Sequence, residues 1–149
     1  MHIPTRKRGG PMTGKYRHNI DSKGRLFVPA RLREELGDAF YVTIGLQHSL
    51  MVLPEDAWKN IEEKKQAMPL AQAQKLRFFF ANAVRCEPDK QGRILLPSEL
   101  RNYGNLDQEV VMLGFGDKAE IWNASVYDAM EQAFLKEENM DAVFASLEI

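Results

Sequence analysis

Asp21-Ser22-Lys23-Gly24-Arg25-Leu26-Phe27-Val28-Pro29-Ala30-Arg31-Leu32-Arg33 returns later in the chain as Asp89-Lys90-Gln91-Gly92-Arg93-Ile94-Leu95-Leu96-Pro97-Ser98-Glu99-Leu100-Arg101. Asp, Gly, Arg, Pro, Leu and the final Arg coincide, and both copies keep an apolar triplet before the proline. An internal match of this kind marks a duplicated structural unit. It extends outward from the quoted stretch. The apolar run Phe40–Gly45 parallels Val110–Gly114, Val52-Leu53 parallels Ile121-Trp122, and Trp58 parallels Tyr127. The chain of 149 residues therefore divides into a first repeat over 12–82 and a second over 83–149, preceded by a basic extension, 1–11, expected to be disordered. Repeats this short bury little core alone, so the two are expected to share one.

Each repeat reads alike. A strand (Tyr16–Ile20; Ala83–Glu87) enters a four-residue turn, and a second strand (Arg25–Val28; Arg93–Leu96) leaves it, which predicts a β-hairpin. Asp at the first turn position and Gly at the fourth suit a type I turn, and the Asp carboxylate can accept from backbone N–H groups inside it. Asp21, Gly24, Asp89 and Gly92 are thus turn-shaping residues. Pro29 and Pro97 end the strands and suit the start of a helix. Two more strands follow in each half (Ala39–Ile44 and Leu50–Leu53; Glu109–Leu113 and Ala119–Trp122). Longer helices close the halves. Glu55–Lys65 carries Trp58 and Ile61 inward, Leu70–Asn82 presents Ala73, Leu76, Phe79 and Phe80, and Ser125–Phe134 places Val126, Met130 and Phe134 at helical spacing. Met140, Val143, Phe144 and Leu147 form a last apolar stripe, and these stripes are expected as core or subunit contacts. The result is a β-rich α+β chain.

Charge is unevenly spread. The net charge is −1, yet 1–33 carries nine Lys and Arg against one acid, while 107–149 carries two Lys against ten acids. Such asymmetry suggests one face for an anionic partner. No apolar run approaches the length of a membrane helix, and no apolar stretch follows the basic start as a secretory signal requires. The single cysteine, Cys86, permits no internal disulfide, and with His2, His18 and His48 it shows no metal-ligand spacing. No metal, cofactor or small-molecule substrate is expected, and the expected location is cytoplasmic. Gly-rich phosphate loops, His-Glu-x-x-His and Gly-x-Ser-x-Gly are absent, so no catalytic residue is assigned. Asp21 and Asp89 are explained by their turns rather than as a catalytic carboxylate pair. Cys86 reads as a small buried residue, and His18 as a surface or packing residue.

The Asp-x-x-Gly-Arg motif is a common turn when single, but it occurs twice at matched positions. It would hold Arg25 at the base of a projecting turn, with Asp21 pairing to it and Lys23 exposed at the tip. A guanidinium so placed can read the O6 and N7 of guanine with both of its prongs, while Lys supplies a point charge to a phosphate or base. Lys15 and Arg17 add charge on the incoming strand. In the second copy Gln91 stands where Lys23 stood, so that turn is less basic.

Tyr16 to Arg33, followed by Asp89 to Pro97, resembles the MraZ family, and the resemblance runs from Met12 to the C-terminus. Met12-Thr-Gly-Lys-Tyr16 looks like the usual family start, so 1–11 departs from the pattern. The resemblance implies an AbrB-like swapped-hairpin fold, a pseudo-two-fold β-barrel with flanking helices whose members assemble into rings. It implies a nucleoid-associated transcriptional regulator that binds G-rich direct repeats in double-stranded DNA upstream of the division and cell-wall gene cluster and controls its own operon. It ties Lys23 and Arg25 to DNA contact, with Arg93 a weaker carry-over. The competing reading is an AbrB-like antitoxin or protein-interaction module. Antitoxins of that kind usually join one such motif to a disordered tail, and here a second complete motif replaces the tail.

Overall fold

A computed structural model of the chain describes residues 11–137 and 139–149. The extension expected over 1–11 lies outside the described residues except for Pro11. Among the described residues eight strands and seven α-helices follow the repeat. The first half runs β1 (Lys15–Asn19), β2 (Arg25–Phe27), α1 (Ala30–Leu36), β3 (Phe40–Ile44), β4 (Leu50–Pro54), α2 (Glu55–Gln66), α3 (Leu70–Ala73) and α4 (Arg77–Ala81). The second runs β5 (Val84–Cys86), β6 (Arg93–Leu95), α5 (Ser98–Gly104), β7 (Glu109–Phe115), β8 (Lys118–Asn123), α6 (Ala124–Lys136) and α7 (Met140–Ser146). The elements expected from the sequence are present, with ends shifted by a residue or two. The stretch 70–82 is broken into two short helices joined by a tight helical turn at Gln74–Leu76.

The hairpin expected within each repeat is not formed. β1 pairs antiparallel with β7, and β5 with β3, so the first strand of each repeat joins the sheet of the other. The strands make a six-stranded antiparallel sheet, β1-β7-β8-β4-β3-β5, and a separate two-stranded ribbon, β2-β6. The backbone accounts for the difference. Before the first turn, the Ile20 N–H already donates to the Gln108 carbonyl at 2.8 Å. After it, the Gly24 carbonyl accepts from Leu96 N at 2.9 Å, and the Gly92 carbonyl accepts from Val28 N at 2.9 Å. Only the bonds of the turns themselves stay local, Asp21 N to the Arg25 carbonyl and Gly24 N to the Asp21 carbonyl, and their counterparts Asp89 N to the Arg93 carbonyl and Gly92 N to the Asp89 carbonyl. The two turns are therefore tied to each other's strands.

One principal core is built from both repeats. Leu26, Val28, Leu32, Leu36, Phe40 and Val42 pack with Ile94, Leu96, Leu100, Val110, Met112 and Ile121. Pro29 and Pro97 stand at the N-terminal caps of α1 and α5. Trp58 of α2 stacks on Tyr41 with ring centroids 4.6 Å apart, while Ile61 is half-buried. The stripe expected on α6 turns the other way. Asn123 caps the helix, accepting from Val126 N at 2.9 Å, and Ala124 and Tyr127 pack on Val111 and Trp122. Val126, Met130 and Phe134 are exposed and contribute nothing to this core. Among the described residues no helix is long and apolar enough to cross a membrane.

Candidate nucleic-acid interface

The Asp-x-x-Gly turn is built as its residues dictate. The Gly24 N–H donates to the Asp21 carbonyl at 3.0 Å, and Gly24 adopts φ +83°, a conformation costly for side chains with a Cβ. Oδ1 of Asp21 accepts from the N–H groups of Lys23 and Arg25, each at 2.9 Å, and Oδ2 accepts from Arg25 Nε at 2.7 Å. The second turn repeats this. Asp89 Oδ1 accepts from Gln91 N and Arg93 N at 2.9 Å, Oδ2 accepts from Arg93 Nε at 3.0 Å, and Gly92 has φ +80°. Backbone donation from Arg25 and Arg93, above all, holds the two carboxyls below the ordinary aspartate range. Each aspartate thus shapes its loop and anchors its arginine through Nε. Among the described residues the terminal nitrogens of Arg25 and Arg93 have no protein partner, which leaves both forks open.

The other candidate cations are spent within the protein. Arg17 makes a two-pronged pair with Asp128 of α6, at 3.0 and 2.5 Å, and reaches Glu109 at 3.1 Å. Lys15 donates to Glu131 at 3.0 Å. Arg85, the counterpart of Arg17 in the second repeat, pairs with Glu55 and Glu87. The charges expected together are therefore divided: Lys23, Arg25 and Arg93 belong to the ribbon and its turns, while Lys15 and Arg17 face α6.

The ribbon brings the two signature arginines onto one surface. Its register pairs Arg25 with Leu95, Leu26 with Ile94 and Phe27 with Arg93. Leu26 and Ile94 are buried, so by the alternation of the pleat Arg25, Phe27, Arg93 and Leu95 share the outer face. Arg25 and Arg93 are diagonal neighbours across it, a relation that places residues roughly 7–8 Å apart. Lys23 and Lys90 are exposed on the two turns.

Sequence reasoning missed Arg33 and Arg101. Arg33 Nε donates to the Val28 carbonyl at 2.8 Å, and Arg101 Nε to the Leu96 carbonyl at 3.0 Å. Each guanidinium lies against the turn glycine of the opposite repeat. Their signal was visible, since this Arg is the last coincident residue of the two copies.

Other groups offer little chemistry. Burial pushes the Cys86 thiol up to about 11, which keeps it protonated at neutral pH. His18 packs edge-on to Phe27. A polar cleft of about 650 Å³ beside the second turn is lined by Arg33, Asp38, Glu55, Arg85 and Asp89, but its Arg85 and Glu55 neutralise each other. Among the described residues no three His, Cys, Asp or Glu side chains converge as a metal site.

Comparison with known proteins agrees with the repeat. The profile of the MraZ protein family, described as antitoxin-like, matches residues 12–78 and, a second time, 79–147. A protein of Carboxydothermus hydrogenoformans named transcriptional regulator MraZ is 52% identical over 118 residues, covering 77% of this chain and 82% of its own. A protein of the same name from Desulforamulus reducens is 51% identical over 118 residues, 77% of this chain and 83% of its own. One from Heliobacterium modesticaldum is 52% identical over 113 residues, 74% and 79%.

Proposed function

The chain belongs to the MraZ family, and from that premise we propose that it is a sequence-specific DNA-binding transcriptional regulator whose reading surface is the β2–β6 ribbon with its two turns. The observation that carries this reading is the pair of anchored arginines. Asp21 and Asp89 hold Arg25 and Arg93 by Nε and leave their outer nitrogens open on one face of the ribbon. The major groove admits a two-stranded ribbon, and an arginine fork matches the guanine edge there. Lys23 supplies a phosphate or looser base contact from the turn. Lys15 and Arg17, already paired with α6, contribute less.

The resemblance extends the reading. The sites are G-rich direct repeats in double-stranded DNA upstream of the division and cell-wall gene cluster, and the protein controls its own operon from a cytoplasmic, nucleoid-associated position. The assembly is a homo-oligomeric ring, since several copies on repeated sites gain effective concentration. The exposed apolar residues of α6 are available as subunit contacts. The cross-repeat pairing of β1 with β7 and β5 with β3 supports the swapped-hairpin barrel. The reading includes no enzymatic role and no cofactor.

A gel-shift against the DNA upstream of the protein's own gene tests this. Binding there, absent on scrambled DNA of equal length, is the expected result. Equal binding to both sequences, or none, overturns it and favours the antitoxin-like interaction module.

A further inference from the structure

The outer face of the ribbon carries two apolar residues at equivalent positions of the repeats, Phe27 and Leu95, and the fold treats them differently. Phe27 is partly covered. The His18 ring meets it edge-on at 5.1 Å, and the Arg33 guanidinium lies 5.5 Å from its centroid. In the second repeat the counterpart of His18 is Cys86, which is buried and has no ring to lend. Leu95 is left 63% exposed. It stands directly opposite Arg25 in the ribbon and two residues along the strand from Arg93.

An exposed leucine between two open guanidinium forks meets a narrow range of partners. The forks, with Lys23 and Lys90 on the turns, draw the face toward a polyanion. On DNA the apolar group displayed on base edges in the major groove is the C5-methyl of thymine. We propose that Leu95 is a specificity-determining residue that packs on a thymine methyl beside the base read by Arg25. This rests on the DNA reading above. It makes the reading head asymmetric: Arg25 works beside an open apolar contact, whereas Arg93 works beside Phe27, partly covered from within the protein by His18 and Arg33.

The test compares the protein's own upstream DNA with the same duplex in which every thymine is replaced by uracil, which removes only the methyl groups. Wild-type protein should bind the uracil duplex more weakly, by roughly fourfold for each methyl contacted. Leu95→Ala should bind the thymine duplex as weakly as wild type binds the uracil duplex, and should no longer distinguish the two. Leu95→Met, which keeps the volume, should still distinguish them. A thermal melt of each variant checks the fold, and the methionine variant decides if the alanine variant melts early. Specific wild-type binding with no loss on uracil DNA, or discrimination that survives in Leu95→Ala, overturns this assignment and leaves the DNA reading standing. If wild type binds neither duplex, the DNA reading fails and takes this assignment with it.

Discussion

Arg101 of the second repeat occupies the space that a Cβ on Gly24 of the first repeat would need: that atom would fall 2.9 Å from Arg101 Nε and 3.0 Å from the Leu96 carbonyl oxygen. Arg33 and Gly92 repeat the relation in the opposite direction, with a Cβ 3.0 Å from the Arg33 guanidinium carbon. Each turn is thus clamped by an arginine of the other half, and the two turns are packed together rather than standing as independent loops.

Gly24→Ala is therefore expected to destabilise the protein by about 1–3 kcal/mol, the usual cost of a non-glycine residue held in a disfavoured backbone conformation. The backbone carbonyl of Leu96 cannot swing aside as a flexible side chain could. Gly116→Ala is the control, because it also has positive φ, +74°, but a Cβ there meets nothing within 4 Å. Denaturant melts should place Gly24→Ala clearly below Gly116→Ala. Equal losses would show that the clamp adds nothing to the strain.

Asp21→Ala should loosen the turn more than Asp21→Asn, because asparagine keeps an acceptor for the N–H groups of Lys23 and Arg25. Both variants lose the charged partner of Arg25 Nε. Thermal melts should rank wild type above Asn above Ala, and gel-shifts should follow the same order. If Asn fails as badly as Ala, the ionic pairing matters more than turn shape.

Acid should weaken the fold through these carboxylates. The folded-state pKa values of Asp21, Asp89, Asp128 and Glu131 are depressed, the first two chiefly by backbone donors, Asp128 by Arg17 and Glu131 by Tyr127. A depressed carboxylate contributes stability that is present above its unfolded value, about 4, and lost as pH falls through the folded value. Melting temperature should be flat from neutral pH down to that value and drop below it. The double variant Asp21→Asn/Asp89→Asn should show a shallower drop, and an unchanged slope would remove these two groups from the account.

Arg25 and Lys23 should differ in kind. Losing a two-pronged base contact costs about 1–3 kcal/mol and relaxes specificity at that base, whereas losing a phosphate contact weakens all sequences alike and lowers the salt slope by about one. In the proposed oligomer the loss recurs at every engaged subunit, so Arg25→Ala should nearly abolish operator binding, and Arg25→Lys should restore little. Lys23→Ala should weaken binding with reduced salt dependence. Arg93→Ala should weaken it less than Arg25→Ala, and Arg17→Ala least. Salt titrations on operator and scrambled DNA measure all five variants. Near-normal binding by Arg25→Ala with loss in Arg93→Ala would move the reading head to the second turn.

Light scattering should find a closed homo-oligomer larger than a dimer. Its contacts should include the exposed stripe Val126, Met130 and Phe134, so that Phe134→Glu lowers the assembly state. A wild-type monomer at micromolar concentration would rule the assembly out.

The repeat, the turn chemistry and the helix starts at Pro29 and Pro97 were legible in the sequence, because each is decided by residues within a few positions of one another. An Asp at the first turn position bonds the N–H groups of its own turn wherever the chain places it, and so the pairing of Asp21 with Arg25 could be read before the fold was known. Strand partners could not. β1 and β2 are adjacent in sequence and linked by a hairpin-like turn, yet each pairs with the other repeat, since a duplicated chain offers every strand two chemically similar partners and only the shared core distinguishes them. The same holds for the cations. Lys15, Arg17, Arg25 and Arg93 look alike in sequence, and tertiary structure alone sets Asp128 and Glu131 against the first two and leaves the outer nitrogens of the last two open. The burial of α6 followed the same rule: packing on Val111 and Trp122 selected Ala124 and Tyr127, the counterpart of Trp58, and left the periodic stripe Val126, Met130 and Phe134 in solvent.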